Sequence, residues 1–145
     1  MPVRKTKIQR QITMLRIILQ KICDGFDTKE ANKRSFLTAR LKVLFLLSEQ
    51  KEVSPGYLIE KLGIAKSNLA LLCSAMVNEG LITSSKNQED KRNITYFITE
   101  KGNIELDVFL DDMEKELADV IISDKEYRLL ERKLDEILDI FKRKF

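Results

Sequence analysis

Gly63 and Ile64 are all that separates two short helical patterns, and this tight joint constrains the chain more than any other feature. Before it, Ser54-Pro55 is a helix start, a capping Ser followed by Pro at the first helical position. Tyr57, Leu58 and Leu62 give that helix an inner face and Gly63 stops it. After it, a helix over Ala65 to Asn78 places Leu69, Leu72, Cys73 and Met76 on one stripe. Two short helices joined at a glycine form a helix-turn-helix arrangement. The opposite face of the second helix carries Lys66, Ser67, Asn68, Ala70, Leu71, Ser74, Ala75 and Asn78. Apart from Leu71 it is small and polar, which lets a helix sit deep in a groove and donate to phosphates and base edges.

Gly80 closes this helix, and two runs rich in β-branched or aromatic residues follow, Leu81–Ser85 and Ile94–Ile98. The eight residues between them, 86–93, contain nothing apolar. This predicts a β-hairpin with a long charged tip. A hairpin directly after a helix-turn-helix is the wing of a winged helix, and its tip can carry Lys91 and Arg92 into a minor groove.

The flanks are helical. Ile8, Ile12, Leu15, Leu19 and Ile22 follow a 4-3-4-3 spacing within residues 5–23, a coiled-coil seam about two heptads long. Asp24-Gly25 ends that helix, and residues 24–37 read as a polar connection. Thr38 is the expected N-cap of a helix over 39–51 whose apolar residues nearly surround it, predicting a central, buried position. Residues 101–121 place Leu106, Phe109, Leu110, Met113, Leu117, Val120 and Ile121 on one side, with an acidic face opposite. Ser123 and Glu126 have capping-box spacing before a last helix bearing Leu130, Leu134, Ile137, Leu138 and Phe141 in register. Such long apolar helices beside a small winged helix leave too much surface for a monomer. The ten residues of the two seams are therefore the expected dimerisation surface. The fold class expected is mainly α (α+β), organised as residues 1–37, a winged helix over 38–101, and dimerisation helices over 102–145.

Charge and composition narrow the function. Residues 1–101 hold 18 Lys and Arg against 10 Asp and Glu, while residues 102–145 hold 8 against 13. The front of the chain is thus suited to a polyanion and the rear to solvent. There is no histidine, so the commonest general base and metal ligand are both missing. Cys23 and Cys73 lie far apart, and the five glycines form no phosphate-binding loop. We expect no enzyme activity, no metal and no cofactor. No apolar run approaches the ~20 residues of a membrane span, and no signal peptide is read, which makes the cytoplasm the expected location. Cys73 falls on the apolar stripe and reads as core. Cys23 ends a helix, where the dipole does not favour a thiolate.

The run Asp90-Lys91-Arg92-Asn93-Ile94-Thr95-Tyr96-Phe97-Ile98-Thr99-Glu100-Lys101-Gly102 resembles the wing signature of the MarR family. That signature is an Asp, an Arg two residues on, then hydrophobic-Thr-x-x-Gly after a strand, with Ile98 here where Leu is usual. Leu37–Leu41, Leu58–Ile64 and Glu79–Ile82 are similar to the family's second helix, helix-turn-helix and helix-to-wing turn. The resemblance implies a homodimer with interlocked terminal helices and one winged helix per subunit on double-stranded DNA. It implies a regulator, commonly a repressor, relieved in many members by a small ligand between dimer helices and winged helix. It makes Lys66, Ser67 and Asn68 contacts of the recognition helix and Lys91 and Arg92 contacts of the wing, with Asp90 orienting the wing arginine. One departure stands out. Where the family often has Ser followed by Arg, this chain has Ala70-Leu71, so bidentate Arg-to-guanine reading is missing from the helix. Leu71 can touch a thymine methyl instead. Alternatively it marks a winged helix turned to protein interaction, with weak or no specific DNA binding.

Overall fold

A computed structural model describes residues 5–24, 39–86 and 93–145. The element order is α1 (Lys5–Asp24), α2 (Ala39–Glu49), α3 (Pro55–Leu62), α4 (Lys66–Asn78), β1 (Ile82–Lys86), β2 (Ile94–Ile98), α5 (Glu100–Ala118) and α6 (Asp124–Phe141). This is the mainly α winged-helix architecture read from the sequence, six helices and a two-stranded antiparallel hairpin among the described residues. The expected Thr38 cap and most of the polar connection lie outside the described residues.

The local rules account for most helix ends. Ser54 Oγ accepts the Tyr57 N–H at 3.1 Å ahead of Pro55. Gly63 takes a left-handed conformation (φ 64°), and its N–H donates to the Ile59 carbonyl at 2.9 Å. A side chain there would be strained, which is why glycine ends this helix. Ser123 Oγ accepts from Glu126 N–H at 3.3 Å, as the capping-box spacing predicts. The return bond differs from the box: Glu126 Oε2 accepts from Ile122 N–H at 2.8 Å, one residue before the cap.

The core lies between α2, α3, α4, the hairpin and the first half of α5. Val43, Leu44 and Leu47 of α2, Leu58 of α3, and Leu69, Cys73 and Met76 of α4 are buried together with Leu81, Ile82, Leu106 and Phe109. The hairpin pairs Ile82 with Ile98 and Lys86 with Ile94. A third segment joins its outer edge. Val53 N–H donates to the Tyr96 carbonyl at 3.2 Å, and Tyr96 N–H donates back to the Val53 carbonyl at 2.8 Å. The residues leading into α3 are thereby fastened to the wing.

Two expectations need correction. α2 is not buried all round: Leu41, Val43, Leu44 and Leu47 are buried, while Phe45 is exposed and Leu46 only partly covered. The helix after the wing stops at Ala118, so Val120 and Ile121 leave its apolar stripe. Val120 is 61% exposed. The stop follows from the next helix starting at Asp124, because the Val120 and Ile121 N–H groups both turn back to the Leu117 carbonyl.

Candidate nucleic-acid interface

α4 divides cleanly by its period. Leu69, Cys73 and Met76 face the core. Ser67, Leu71, Ser74 and Asn78 recur at the same 4-3-4 spacing half a turn away, and all are exposed. Lys66 and Asn68 are exposed beside them at the helix start, so the predicted α4 residues share one accessible end of one helix. Ala65 stands at the cap of this helix and makes no side-chain cap bond.

The wing is placed against this helix. Lys66, Leu69 and Ala70 of α4 line one groove of about 480 Å³ together with Ser54, Pro55, Gly56 and Ile59 of the α3 region and Asn93, Ile94 and Tyr96 at the base of the wing. The strand that leads out of the wing tip thus begins beside the leading edge of α4. Asp90, Lys91 and Arg92 lie outside the described residues.

What holds helix and wing in this relation is long-range, and sequence reading missed most of it. Thr99 Oγ1 accepts the Gly102 N–H at 3.1 Å, capping α5, and lies 2.6 Å and 2.9 Å from the Gly80 and Leu81 carbonyls that it can donate to. Lys101 Nζ donates to the Glu79 carbonyl at 2.8 Å. A Cβ added to Gly102 would fall against the Leu81 carbonyl oxygen, 2.8 Å from Ile98 Cγ1 and 3.2 Å from Leu44 Cδ2. The Thr-x-x-Gly part of the wing signature therefore serves to seat α5 on the turn between α4 and β1. Arg40 of α2 completes the clamp, bridging Glu79 at 2.6 Å and Glu105 of α5 at 3.0 Å. Beneath the outward face, the Cys73 thiol hydrogen-bonds the Tyr96 hydroxyl. Burial pushes the thiol's pKa up, partly offset by that bond. The Tyr96 hydroxyl is raised as well, first by burial and then by Cys73. Cys73 is a fully buried core residue, as its stripe predicted. Nothing in the sequence pointed to Arg40, whose partners are 39 and 65 residues away.

A second cavity, of about 510 Å³, opens between α2, α3 and α5. Leu41, Phe45, Leu46, Leu62, Phe109, Leu110 and Met113 make it apolar, and Lys42 and Lys61 add charge. Phe145 also lines it, with Lys61 Nζ 4.3 Å from its ring centroid. The exposed Phe45 of α2 is a wall of this cavity.

The terminal helices are built differently. Ile8, Ile12, Leu15 and Leu19 are exposed along α1, and Ile22 is partly covered. On α6 Leu134, Ile137, Leu138 and Phe141 are exposed and Leu130 is partly covered; no residue of this helix is buried. Each seam lies on one face of its helix, as its spacing predicted, and most of it is left exposed by its own chain.

Residues 38–94 match the sequence profile of the MarR family. The segment from α2 to the first residue of β2 thus resembles the MarR family. The HTH-type transcriptional repressor YetL of Bacillus subtilis is 26% identical over 116 residues, covering 75% of this chain and 70% of that protein. Among solved structures, a MarR family protein from Bacillus stearothermophilus superposes with a TM-score of 0.75 at 20% identity, over 97% of this chain and 99% of that one. A mutant of Escherichia coli MarR complexed with operator DNA gives 0.59 at 20% identity, over 91% and 94%. These likenesses establish the fold from α1 to α6. The 38–94 match begins one residue before α2 and ends at the first residue of β2.

Proposed function

We propose that this chain is a transcriptional regulator, acting as a repressor, that binds a pseudo-palindromic DNA operator as a homodimer. The observation that carries the reading is the groove that sets Lys66 and Ala70 of α4 beside Asn93 and Ile94 of the wing. Recognition helix and wing thereby address one ligand from one side. The outward residues Lys66, Ser67, Asn68 and Leu71 enter the major groove. Lys91 and Arg92 extend from the wing toward the minor groove, with Asp90 orienting the arginine. The relative bound to operator DNA in its structure supports this assignment by likeness of fold.

Residues 38–101 serve as the DNA-binding unit, and residues 1–37 and 102–145 join two copies. The uncovered seams on α1 and α6 support that assembly: Ile8, Ile12, Leu15, Leu19 and Ile22 from one end, Leu130, Leu134, Ile137, Leu138 and Phe141 from the other. Two-fold symmetry then sets half-sites about one helical turn apart, roughly 10 bp. The α2–α3–α5 cavity is the place for a small effector. Its apolar walls suit a hydrophobic molecule, and Lys42 and Lys61 suit an acidic group on it. Such a ligand would pack against Leu41, the neighbour of Arg40, whose guanidinium holds the end of α4 through Glu79. No reaction is catalysed, and occupancy of a promoter is the function.

Anisotropy titration of the full chain against duplexes selected from its source genome tests the reading. Affinity should fall steeply with salt as counterions are released. Arg92→Ala should cost about 1–3 kcal/mol. Absence of binding at low salt to every fragment, the gene's own upstream region included, would overturn it.

A further inference from the structure

Leu71 sits in the second turn of α4 at the middle of its outward stripe and is 72% exposed. A single exposed leucine is ordinary on a protein surface. Its position is what matters here, because the neighbours on the stripe, Ser67, Ser74 and Asn78, are small and polar and bring the helix close to whatever it meets. α4 contains no arginine, and its one cation, Lys66, stands at the first residue. In the major groove, guanine is read chiefly by Arg or Lys, adenine by the amide of Asn or Gln, and the apolar partner on offer is the thymine C5 methyl. Asn68 is exposed three residues before Leu71, on the neighbouring flank of the same surface.

We propose that α4 reads A·T pairs: Leu71 packs on a thymine methyl at the centre of each half-site, and Asn68 pairs with the major-groove edge of an adenine next to it. This rests on the DNA-binding reading above and specifies what that interface recognises. Specificity then comes from methyl contact and one amide, and the operator half-sites carry their A·T pairs where α4 lies. Leu71 and Asn68 are the residues that set base preference, while Lys66 holds phosphate.

Selection of bound duplexes from a random library by the full-length protein, followed by base-analogue titration, tests this. Selected half-sites should share a thymine under Leu71. Replacing that thymine by deoxyuridine removes the methyl and leaves every hydrogen-bonding group in place. Wild type should lose roughly fourfold in affinity per half-site, the ratio set by burying one carbon's worth of apolar surface. Leu71→Ala should bind more weakly than wild type and be indifferent to the same replacement. Its circular dichroism should be unchanged, because the side chain is exposed. Leu71→Arg should move the selected base toward guanine. Tight binding with G·C-centred half-sites, or equal loss on deoxyuridine for wild type and Leu71→Ala, would overturn the proposal and leave DNA binding standing. No binding to any library member at low salt would remove both readings together and assign Leu71 to a protein partner.

Discussion

The winged-helix segment and the terminal helices have the same kind of amphipathic pattern and opposite fates. From α2 to the start of α5, apolar residues meet one another within the chain: Val43, Leu44, Leu47, Leu58, Leu69, Cys73 and Met76 are all at or near zero exposure. On α1 and α6 the seams are just as regular, yet Ile12, Leu134 and Phe141 remain open at 48%, 38% and 58%. Periodicity says which face of a helix is apolar and leaves open which chain covers it. In the proposed assembly, the segment that buries its own stripes faces the DNA, and the helices that do not are left to a second copy.

Substitutions can break this contrast. Leu44→Ala should have the largest effect on stability, about 2–5 kcal/mol by urea denaturation, because it empties the centre of the self-contained core. Next comes Gly102→Ala, at about 1–3 kcal/mol, since the added carbon meets the Leu81 carbonyl and a backbone atom cannot rotate away. It should loosen the joint between the winged helix and α5 without disturbing the helix content of either. Arg40→Ala should cost about 1 kcal/mol or less, as its two ion pairs are partly open to solvent. If the clamp positions α4, that variant should weaken DNA binding by more than its modest loss of stability suggests. On the other side of the contrast, Ile137→Ala should leave the winged helix folded and shift only the association equilibrium, read by sedimentation.

Cys73 sharpens the comparison through pH. Its raised pKa means that the folded state holds the proton more tightly than the unfolded chain. This contribution to stability is whole below the ordinary thiol range near about 8.5 and drains away as pH rises through the folded value. Tyr96 acts in the same sense at higher pH. Denaturation midpoints should therefore fall in alkali, and less so for Cys73→Ala. In native protein at neutral pH, alkylation of Cys73 should wait for unfolding. Rapid native-state labelling at Cys73 would show that the joint between α4 and the wing opens.

Much of this was legible in the sequence because it rests on local rules. Gly63 needed a left-handed conformation, Ser54-Pro55 and Ser123–Glu126 announced helix starts, and Cys73 shared a stripe with Leu69 and Met76. The family resemblance lay in the wing signature, and the structure supplies its mechanical reason in Thr99 and Gly102. What stayed hidden depends on contacts between distant segments. The Arg40 clamp spans 65 residues to Glu105, and the Val53–Tyr96 bridge joins a loop to the wing across 43. Phe45 and Leu46 looked like core because α2 is apolar nearly all round. They line the cavity between α2, α3 and α5 instead, a placement that depends on how distant segments pack. On α4, the outward placing of Lys66, Ser67, Asn68 and Leu71 was legible from helical period, while the groove that Lys66 shares with the base of the wing required the fold.

In the proposed assembly two copies, joined through α1 and α6, set two α4 helices on one DNA site. Sedimentation equilibrium of the full chain, alone and with a selected duplex, measures this directly. The expected result is a free species of twice the 16.9-kDa chain mass and two chains on each duplex. A free species of 16.9 kDa at micromolar concentration, binding as a single chain to one half-site, would contradict it.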